Sequence, residues 1–539
     1  MADTLKPSYD MAVIGSGFGG SLMAMVAKRI GLDVVLIERG RHPRFAIGES
    51  TSPLTNLLIE DLARRYDLPR LLPLTSYGPW QRTYPEITCG LKRGFTYYKH
   101  EKGQRYAVDV DRSNQLLVAA SPNDEVADTH WLRADVDKFF MEEAVSIGVD
   151  YIDEAELGLP EWTTDGVVLT GRRHGQPFRS KASFIVDATG PRGLLSKVLD
   201  IPEDPFPNYP KTQTLFSHFT GVRRCETMAD FAYAAIDSVP PYPVDDAALH
   251  HVFDGGWMWV LRFGNGVTSA GFAVDEDLAV ELELPAAIEG MAQKERAWHN
   301  FLHRFPSIGE QFADAKPIVP FAFSSRLSYR AKQMTGDHWA MLPSAAAFID
   351  PLFSTGFPLT LLGIERLGRI FEEAWGTGGM PGRLADYARR CRAEAEATSE
   401  LIAGSYRGFA NFPTFTALSM FYFTAASFSE MQRRVAPTPV AYLQSNHPTF
   451  GPAMAKYAAL VRKGAASMSS ADIDKLTAEI TTATDVINVA GLCDPAKCNW
   501  YDADLEDVVK SASKLGFTPD EMRAIIQSAD WAQGCLISR

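Results

Sequence analysis

Residues 9–39, YDMAVIGSGFGGSLMAMVAKRIGLDVVLIER, leave few folds open, because they read as strand, glycine turn, helix and strand. Asp10–Ile14 is a short, mostly apolar run, and Gly15, Gly17 and Gly20 follow at G-x-G-x-x-G spacing. An apolar helix is expected to about Ile30. Gly31 closes it, Asp33–Ile37 forms the second strand, and Glu38 ends that strand. In such a unit the first glycine permits the tight turn, the second lets a pyrophosphate approach the backbone, and the third lets helix and strand pack closely. The helix N-terminus offers free N–H groups and partial positive charge to phosphates. Glu38 stands where a carboxylate takes up ribose hydroxyls. The stretch predicts a dinucleotide site on a parallel α/β sheet.

The rest of the chain is compatible with a large enzyme. Its 539 residues hold two or three structural units, with 46% hydrophobic and 22% charged residues. A net charge of −13 argues against general nucleic-acid binding, which needs a basic footprint. The polar start, MADTLKPSYD, leads straight into the first strand and suggests no signal peptide. No stretch approaches the ~20 apolar residues that span a bilayer; Thr416–Phe428 is the nearest and reads as a buried or pocket-lining helix. The six cysteines are scattered, and Cys493 and Cys498 have no second pair at ligand spacing, so neither a disulfide framework nor a metal site is expected. His250-His251 has no carboxylate or cysteine beside it at ligand spacing. A cytoplasmic location follows as the default.

Further along, Gly48-Glu49-Ser50-Thr51 is a turn and Ser52-Pro53 opens a helix. TCGLKRGFTYY, 88–98, is strand-like and aromatic, and Trp131–Gly148 reads as an amphipathic helix. Val149–Ile152 and Val167–Arg173 read as strands. FIVDATGPRGLLSKVL, 184–199, reads as an apolar strand ending in Asp187, a turn at Gly190, and a helix. Alternating runs over Thr214–Asp275 suggest an antiparallel sheet. Trp339–Leu367 reads as strand, Asp-Pro turn, Ser-Thr-Gly loop and helix. From about Asp386 the chain is largely helical, and Thr518 with Glu521 forms a capping box.

Three distant pieces agree: the glycine turn with Glu38, the VDATG strand end, and the DPLFSTG turn before a helix. Together they resemble the single-nucleotide-domain FAD-dependent monooxygenase superfamily. Within it, the chain looks like a flavin-dependent halogenase, of the phenol and pyrrole type rather than the tryptophan type. The resemblance rests on GES at 48–50, Leu91-Lys92-Arg93-Gly94, WLR at 131–133, DATGPRG at 187–193, GWMWV at 256–260 and DPLFSTG at 350–356. It spans roughly residues 9–370. The family's Trp-x-Trp-x-Ile-Pro signature stands here as Trp257-Met258-Trp259-Val260-Leu261-Arg262, and its Gly-Asp before the Asp-Pro turn is Pro343-Ser344. Phe353 precedes Ser-Thr-Gly, where tryptophan-acting members carry glutamate.

The resemblance implies an α/β fold: a Rossmann-type FAD-binding domain, an interleaved β-rich substrate domain (about 75–130 and 205–335, within a core of 1–385), and a helical C-terminal region, 386–539. It implies cofactor contacts from Gly15, Gly17, Phe18, Gly20, Glu38, Arg39, Glu49, Ser50, Thr51, Arg133, Asp187, Gly190, Asp350, Pro351 and Gly356. Arg133 reaches cofactor phosphates or, alternatively, forms a surface ion pair. Halide would sit at Ser354, Thr355 and Gly356, where a helix start attracts anions. Trp257 and Trp259, two apart on a strand, face one side, as core or as the passage between flavin and substrate; Phe353 belongs with them. A lysine is ordinarily a solvated surface charge. Lys92 instead lies in an aromatic strand, where a buried charge needs a reason, and the resemblance makes it the residue that receives hypohalous acid.

The implied reaction uses FADH2, O2 and chloride or bromide on a small electron-rich aromatic, either free or tethered to a carrier protein. With no second nucleotide fingerprint in the chain, a separate NAD(P)H-dependent flavin reductase is the expected partner. Two alternatives stand: an FAD-dependent aromatic hydroxylase or geranylgeranyl-reductase-like oxidoreductase, and a non-halogenating flavin-binding scaffold, to which Leu261-Arg262 lends support. The rings Phe409, Phe412, Phe415, Phe421, Tyr422 and Phe423 form either core or the roof of a substrate pocket.

Overall fold

Two sheets position the rest of the protein in the computed structural model, which describes residues 5–233, 238–284, 290–436, 441–464 and 467–536. The first four residues of the polar N-terminal start lie outside this range. In the first sheet, five parallel strands run in the order Trp339–Met341, Gln176–Asp187, Ser8–Ile14, Val34–Ile37 and Asp150–Ile152. Gly166–Arg173 folds back antiparallel on Gln176–Asp187. The strand Val34–Ile37 is wholly buried, as expected of a parallel strand covered on both faces. The crossover helix Phe18–Arg29 packs onto this sheet with ten buried residues. A Cβ at Gly20 would come within 1.9 Å of the Gly15 carbonyl oxygen, so only glycine allows the helix this close to its own turn.

The second sheet is mostly antiparallel and runs Lys316–Pro317, Thr212–Thr220, Thr268–Asp275, Gly256–Arg262, Ala248–Phe253, Gly94–Lys99, Gln115–Ala119 and Trp500–Tyr501. Its period-2 alternation sorts side chains between two cores. Trp257, Trp259 and Leu261 join the main core with Phe95 and Tyr97, while Met258, Val260 and Tyr98 face a second core with the helix Met291–Arg304. Cys89–Lys92 and Asp128–Trp131 form a separate two-stranded antiparallel ribbon in which Lys92 lies opposite Asp128.

The elements depart from expectation in two places. Trp131, expected at the start of a helix, ends a strand; its N–H donates to the Glu49 carbonyl at 2.6 Å, and the helix begins at Arg133. The C-terminal region, expected to be helical, also gives the second sheet the strand Trp500–Tyr501, parallel to Leu117–Val118. Such a pairing, made hundreds of residues away in sequence, leaves no local pattern. Otherwise the C-terminal part is helical, led by Met380–Gly408 and Phe412–Val435. No helix among the described residues is long and apolar enough to cross a membrane.

Candidate active site

Turns and helix starts that follow strands of the first sheet, together with strands of the second, line a cavity of about 540 Å3. The glycine turn contributes Gly17, Phe18 and Gly20, and the following loop contributes Arg44, Glu49 and Ser50. Arg133, Gly190, Asp350, Pro351, Ser354, Thr355 and Gly356 also line it, and the second sheet adds Trp257, Trp259 and His250. Gly190 and Gly356 present bare backbone there: a Cβ at either would meet no heavy atom within 4 Å. An open, glycine-lined wall beside a helix N-terminus fits a dinucleotide cofactor held by backbone N–H groups.

Gly15, Glu38, Thr51 and Asp187, also expected at the cofactor, do not line the cavity. Gly15 packs against Ala188, where a Cβ would come within 2.6 Å of its carbonyl oxygen. Asp187 folds onto its own turn, accepting from the Thr189 N–H and hydroxyl at 2.9 and 2.7 Å and from the Leu195 N–H at 2.7 Å. Thr51 is tied to Thr129 of the ribbon. Glu38 accepts from Ser16 N–H and hydroxyl and from Gly40 N–H, with Arg44 nearby at 3.5 Å. Burial opposes its charge, but Arg44 and these donors hold the carboxyl below its ordinary range. Arg39 is exposed. Arg133 makes a bidentate pair with buried Asp137 at 2.8 and 2.9 Å and donates to the Ile47 and Gly48 carbonyls. It therefore braces the Gly48-Glu49-Ser50 turn from the cavity wall.

Two polar connections had no sequence signal. Glu49 is buried and bonded at 2.6 Å to His218 Nε2, a residue that only the packing of strand Thr212–Thr220 brings to the loop. Asp350 accepts from the hydroxyls of Tyr209 and Tyr406 at 2.9 and 2.8 Å, and Tyr406 in turn accepts from Trp257 Nε1 at 3.1 Å. Burial pushes the Asp350 carboxyl up to about 6 against these donors. The indole rings of Trp257 and Trp259 lie 5.7 Å apart. Arg262, in place of the family's proline, turns outward to Asp245 and to the carbonyls of Val222 and Arg223, so Leu261 and both tryptophans keep facing the cavity.

Lys92 lies directly behind the cavity wall. It is completely buried, and its ammonium donates to the carbonyl of Thr51, next in chain to the wall residue Ser50. Its Nζ stands 3.9 Å from the centre of the Phe95 ring. Burial drives the lysine below its ordinary range, with Asp128 acting against the shift. His130 and His250 are also buried and are held neutral, each pushed down to about 3 by desolvation. His250 stacks on Tyr97 with ring centres 4.5 Å apart.

The loop before the helix Gly356–Ala374 is strained. Phe353 and Ser354 have φ of 64° and 56°, which non-glycine residues adopt only when their surroundings hold them. Phe353 is buried away from the cavity, stacked on Tyr422 at 4.6 Å and edge-on to Tyr97 at 6.4 Å. Phe415 and Phe423 join these rings, whereas Phe421 points away to Phe450 and Tyr457. Among the described residues no group of His, Cys, Asp or Glu side chains is placed to hold a metal ion.

Comparison with known proteins gives this geometry a family. Residues 127–411, just over half of the chain, match the family model described as tryptophan halogenase. Among curated proteins, monodechloroaminopyrrolnitrin halogenase PrnC of Pseudomonas fluorescens is 29% identical over 405 residues, covering 75% of this chain and 69% of that one. A 1H-pyrrole-2-carbonyl-[peptidyl-carrier protein] chlorinase of Pseudomonas fluorescens is 24% identical, covering 66% and 73%. The crystal structure of halogenase PltM in complex with phloroglucinol and FAD shares the fold, with TM-score 0.70, 22% identity and 98% of both chains covered. By sequence match over most of its site, the chain belongs to the tryptophan halogenase family of FAD-dependent enzymes.

Proposed function

We propose that the protein halogenates an electron-rich aromatic of phenol or pyrrole type, free or carrier-tethered, with Lys92 delivering the halogen. The observation that carries this reading is the completely buried lysine one residue behind the cavity wall, with aromatic rings on its other side. When bound, reduced FAD with dioxygen supplies the oxidation of chloride or bromide to hypohalous acid. The chain's own residues do the rest. The start of helix Gly356–Ala374 holds the halide through the backbone N–H groups of Thr355 and Gly356, while the Ser354 N–H donates to the Pro351 carbonyl at 3.0 Å and shapes the turn. Trp257, Trp259 and His250 line the cavity with apolar ring surface that disfavours bulk water. Lys92, desolvated, donates a hydrogen bond to hypohalous acid and holds it beside the substrate ring. The balance is Ar–H + HOX → Ar–X + H2O.

Phe353 supports a substrate other than free tryptophan, because it replaces a carboxylate with a ring stacked on Tyr422. The names of the relatives point the same way: PrnC and the pyrrolyl-carrier chlorinase bracket free and tethered substrates, and PltM was crystallised with a phenol. We take residues 1–385 as the cofactor and substrate core and 386–539 as the region covering the substrate side. Reduced FAD would come from a separate cytoplasmic NAD(P)H-dependent reductase. The deciding experiment is product mass analysis with reduced FAD, dioxygen, chloride or bromide, and a panel of phenols and pyrroles. A halogen isotope pattern that disappears in Lys92→Ala is the expected result. Hydroxylated product alone would overturn the reading, and undiminished halogenation by the variant would remove Lys92 from it.

A further inference from the structure

We propose that Asp128 is the general base that removes the proton from the ring carbon as it takes the halogen from Lys92. This rests on the halogenation reading and supplies the step that Phe353 leaves without a carboxylate.

Three observations converge on it. Lys92 and Asp128 are directly opposite in the antiparallel ribbon, so their side chains rise from the same face with Cβ atoms about 5 Å apart. A substrate ring that approaches Lys92 thus enters on the ribbon face that also carries Asp128. The two groups nonetheless form no direct ion pair; Lys92 turns to the Thr51 carbonyl and the Phe95 ring. The carboxyl itself is half-occupied. Oδ1 accepts from Asn56 Nδ2 at 2.8 Å, while Oδ2 is buried without any hydrogen-bond partner. Among the described residues it is the one buried carboxylate oxygen left in that state. An orphaned buried acceptor is costly and calls for an explanation.

The neighbouring carboxylates are all committed. Glu49 holds His218, Asp350 takes two tyrosine hydroxyls, and Glu430 pairs with Arg434. Asp128 also lies near enough to Tyr422, the ring stacked against Phe353, for its charge to act on that hydroxyl. Desolvation raises the Asp128 carboxyl from its ordinary range toward neutrality, opposed by Lys92 and Arg434 and reinforced by Glu430. That direction suits a base working near neutral pH.

In the step, the ring's electron pair attacks the halogen of hypohalous acid, the C–X bond forms and the O–X bond breaks. The departing hydroxide takes a proton from the Lys92 ammonium and becomes water. The carbon's C–H bond then breaks, its electron pair returns to the ring, and the proton goes to Asp128 Oδ2. The carboxylic acid afterwards returns that proton to Lys92, so the pair is restored.

The test compares wild type, Asp128→Asn and Asp128→Glu on the phenol or pyrrole that wild type halogenates best, unlabelled and ring-deuterated. Hypohalous acid formation is followed separately with a β-diketone trap. In Asp128→Asn we expect product formation to fall by about 100-fold or more, trapped hypohalous acid to stay at the wild-type level, and a primary isotope effect to appear. Asp128→Glu should recover part of the rate. Wild-type rate and isotope behaviour in Asp128→Asn would overturn the proposal. If that variant fails to fold, wild type alone decides. Its isotope effect should grow as pH is lowered and the Asp128 carboxyl takes up a proton; His130 and His250 stay neutral there and Lys92 stays charged. An effect that does not vary with pH would overturn the assignment. Absence of halogenated product from wild type would instead sink the halogenase reading itself, and so the two failures are distinguishable.

Discussion

Gly20 and Gly356 line the same cavity but are glycine for different reasons. At Gly20 the space for a Cβ is filled by the Gly15 carbonyl oxygen, 1.9 Å away. Gly20→Ala must push helix from strand, and overpacking of that kind costs about 1–3 kcal/mol. At Gly356 the same atom would enter open space, at the start of a helix where alanine is the better former. Gly356→Ala should leave the melting temperature of the cofactor-free protein unchanged or slightly raised, while FAD binding weakens because the methyl group blocks the backbone cradle. Calorimetric melting and a flavin titration of both variants check the contrast. Equal FAD affinity in Gly356→Ala and wild type would remove this glycine from the cofactor's contacts.

The helix Met380–Gly408 acts on the site as a whole element. Arg366 and Glu394, joined by two bonds of 2.6 Å, lock it to the helix Gly356–Ala374 that follows the candidate halide loop. Near its other end Tyr406 connects Trp257 on the second sheet to Asp350 at the head of that loop. One hydroxyl thus fixes the separation of a sheet, a helix and a strained turn. Tyr406→Phe should strand the Trp257 N–H and remove one donor to Asp350, costing about 1–3 kcal/mol for the unsatisfied buried groups. Denaturant unfolding measures that loss, and the fluorescence of the tryptophan pair should change with it. Unchanged stability would show that the loop is held without Tyr406.

At the scale of the whole molecule, buried titratable groups determine how the fold responds to acid. His130, His250, His251 and His100 are completely buried and neutral; desolvation pushes the first three down to about 3, 3 and 4, and His100 well below its ordinary value. The sign follows from proton counting. Below the ordinary histidine pKa of about 6.5, the unfolded chain binds these protons and the folded chain refuses them. Stability is therefore lost as pH falls from about 6.5, at up to about 1.4 kcal/mol per histidine per pH unit. Asp350 and Asp128 work in the opposite direction, because both are raised by burial and take up protons in the folded state first. Burial also raises Asp187, Asp275 and Glu143, but without the large shifts of Asp350 and Asp128, so the four histidines dominate and the melting temperature should fall between pH 6.5 and 5. Asp350→Asn, which removes one opposing group, should steepen the fall. A flat or rising profile would contradict the buried neutral histidines.

The cofactor half of the site was legible because it is built from local patterns. Gly15, Gly17 and Gly20 with the flanking apolar runs, the VDATG strand end and the DPLFSTG turn each state a backbone conformation within a few residues. The chemistry half is a matter of register. Nothing in TCGLKRG or in ADTHWLR says that Lys92 faces Asp128; that depends on an antiparallel pairing between segments more than thirty residues apart. Likewise His218 meets Glu49, and Tyr406 meets Asp350, only after two sheets and a long helix have packed. Glu38 and Asp187 show the reverse case, since these carboxylates expected at the cofactor are satisfied within the protein, Glu38 by Ser16 of the glycine turn and by Gly40, and Asp187 by its own turn. Sequence alone determined that this chain binds a dinucleotide on a parallel sheet, because glycine geometry is a property of neighbouring residues. Which buried charges confront one another was decided by the tertiary structure, because desolvation and cross-strand pairing exist only once distant segments exclude water together.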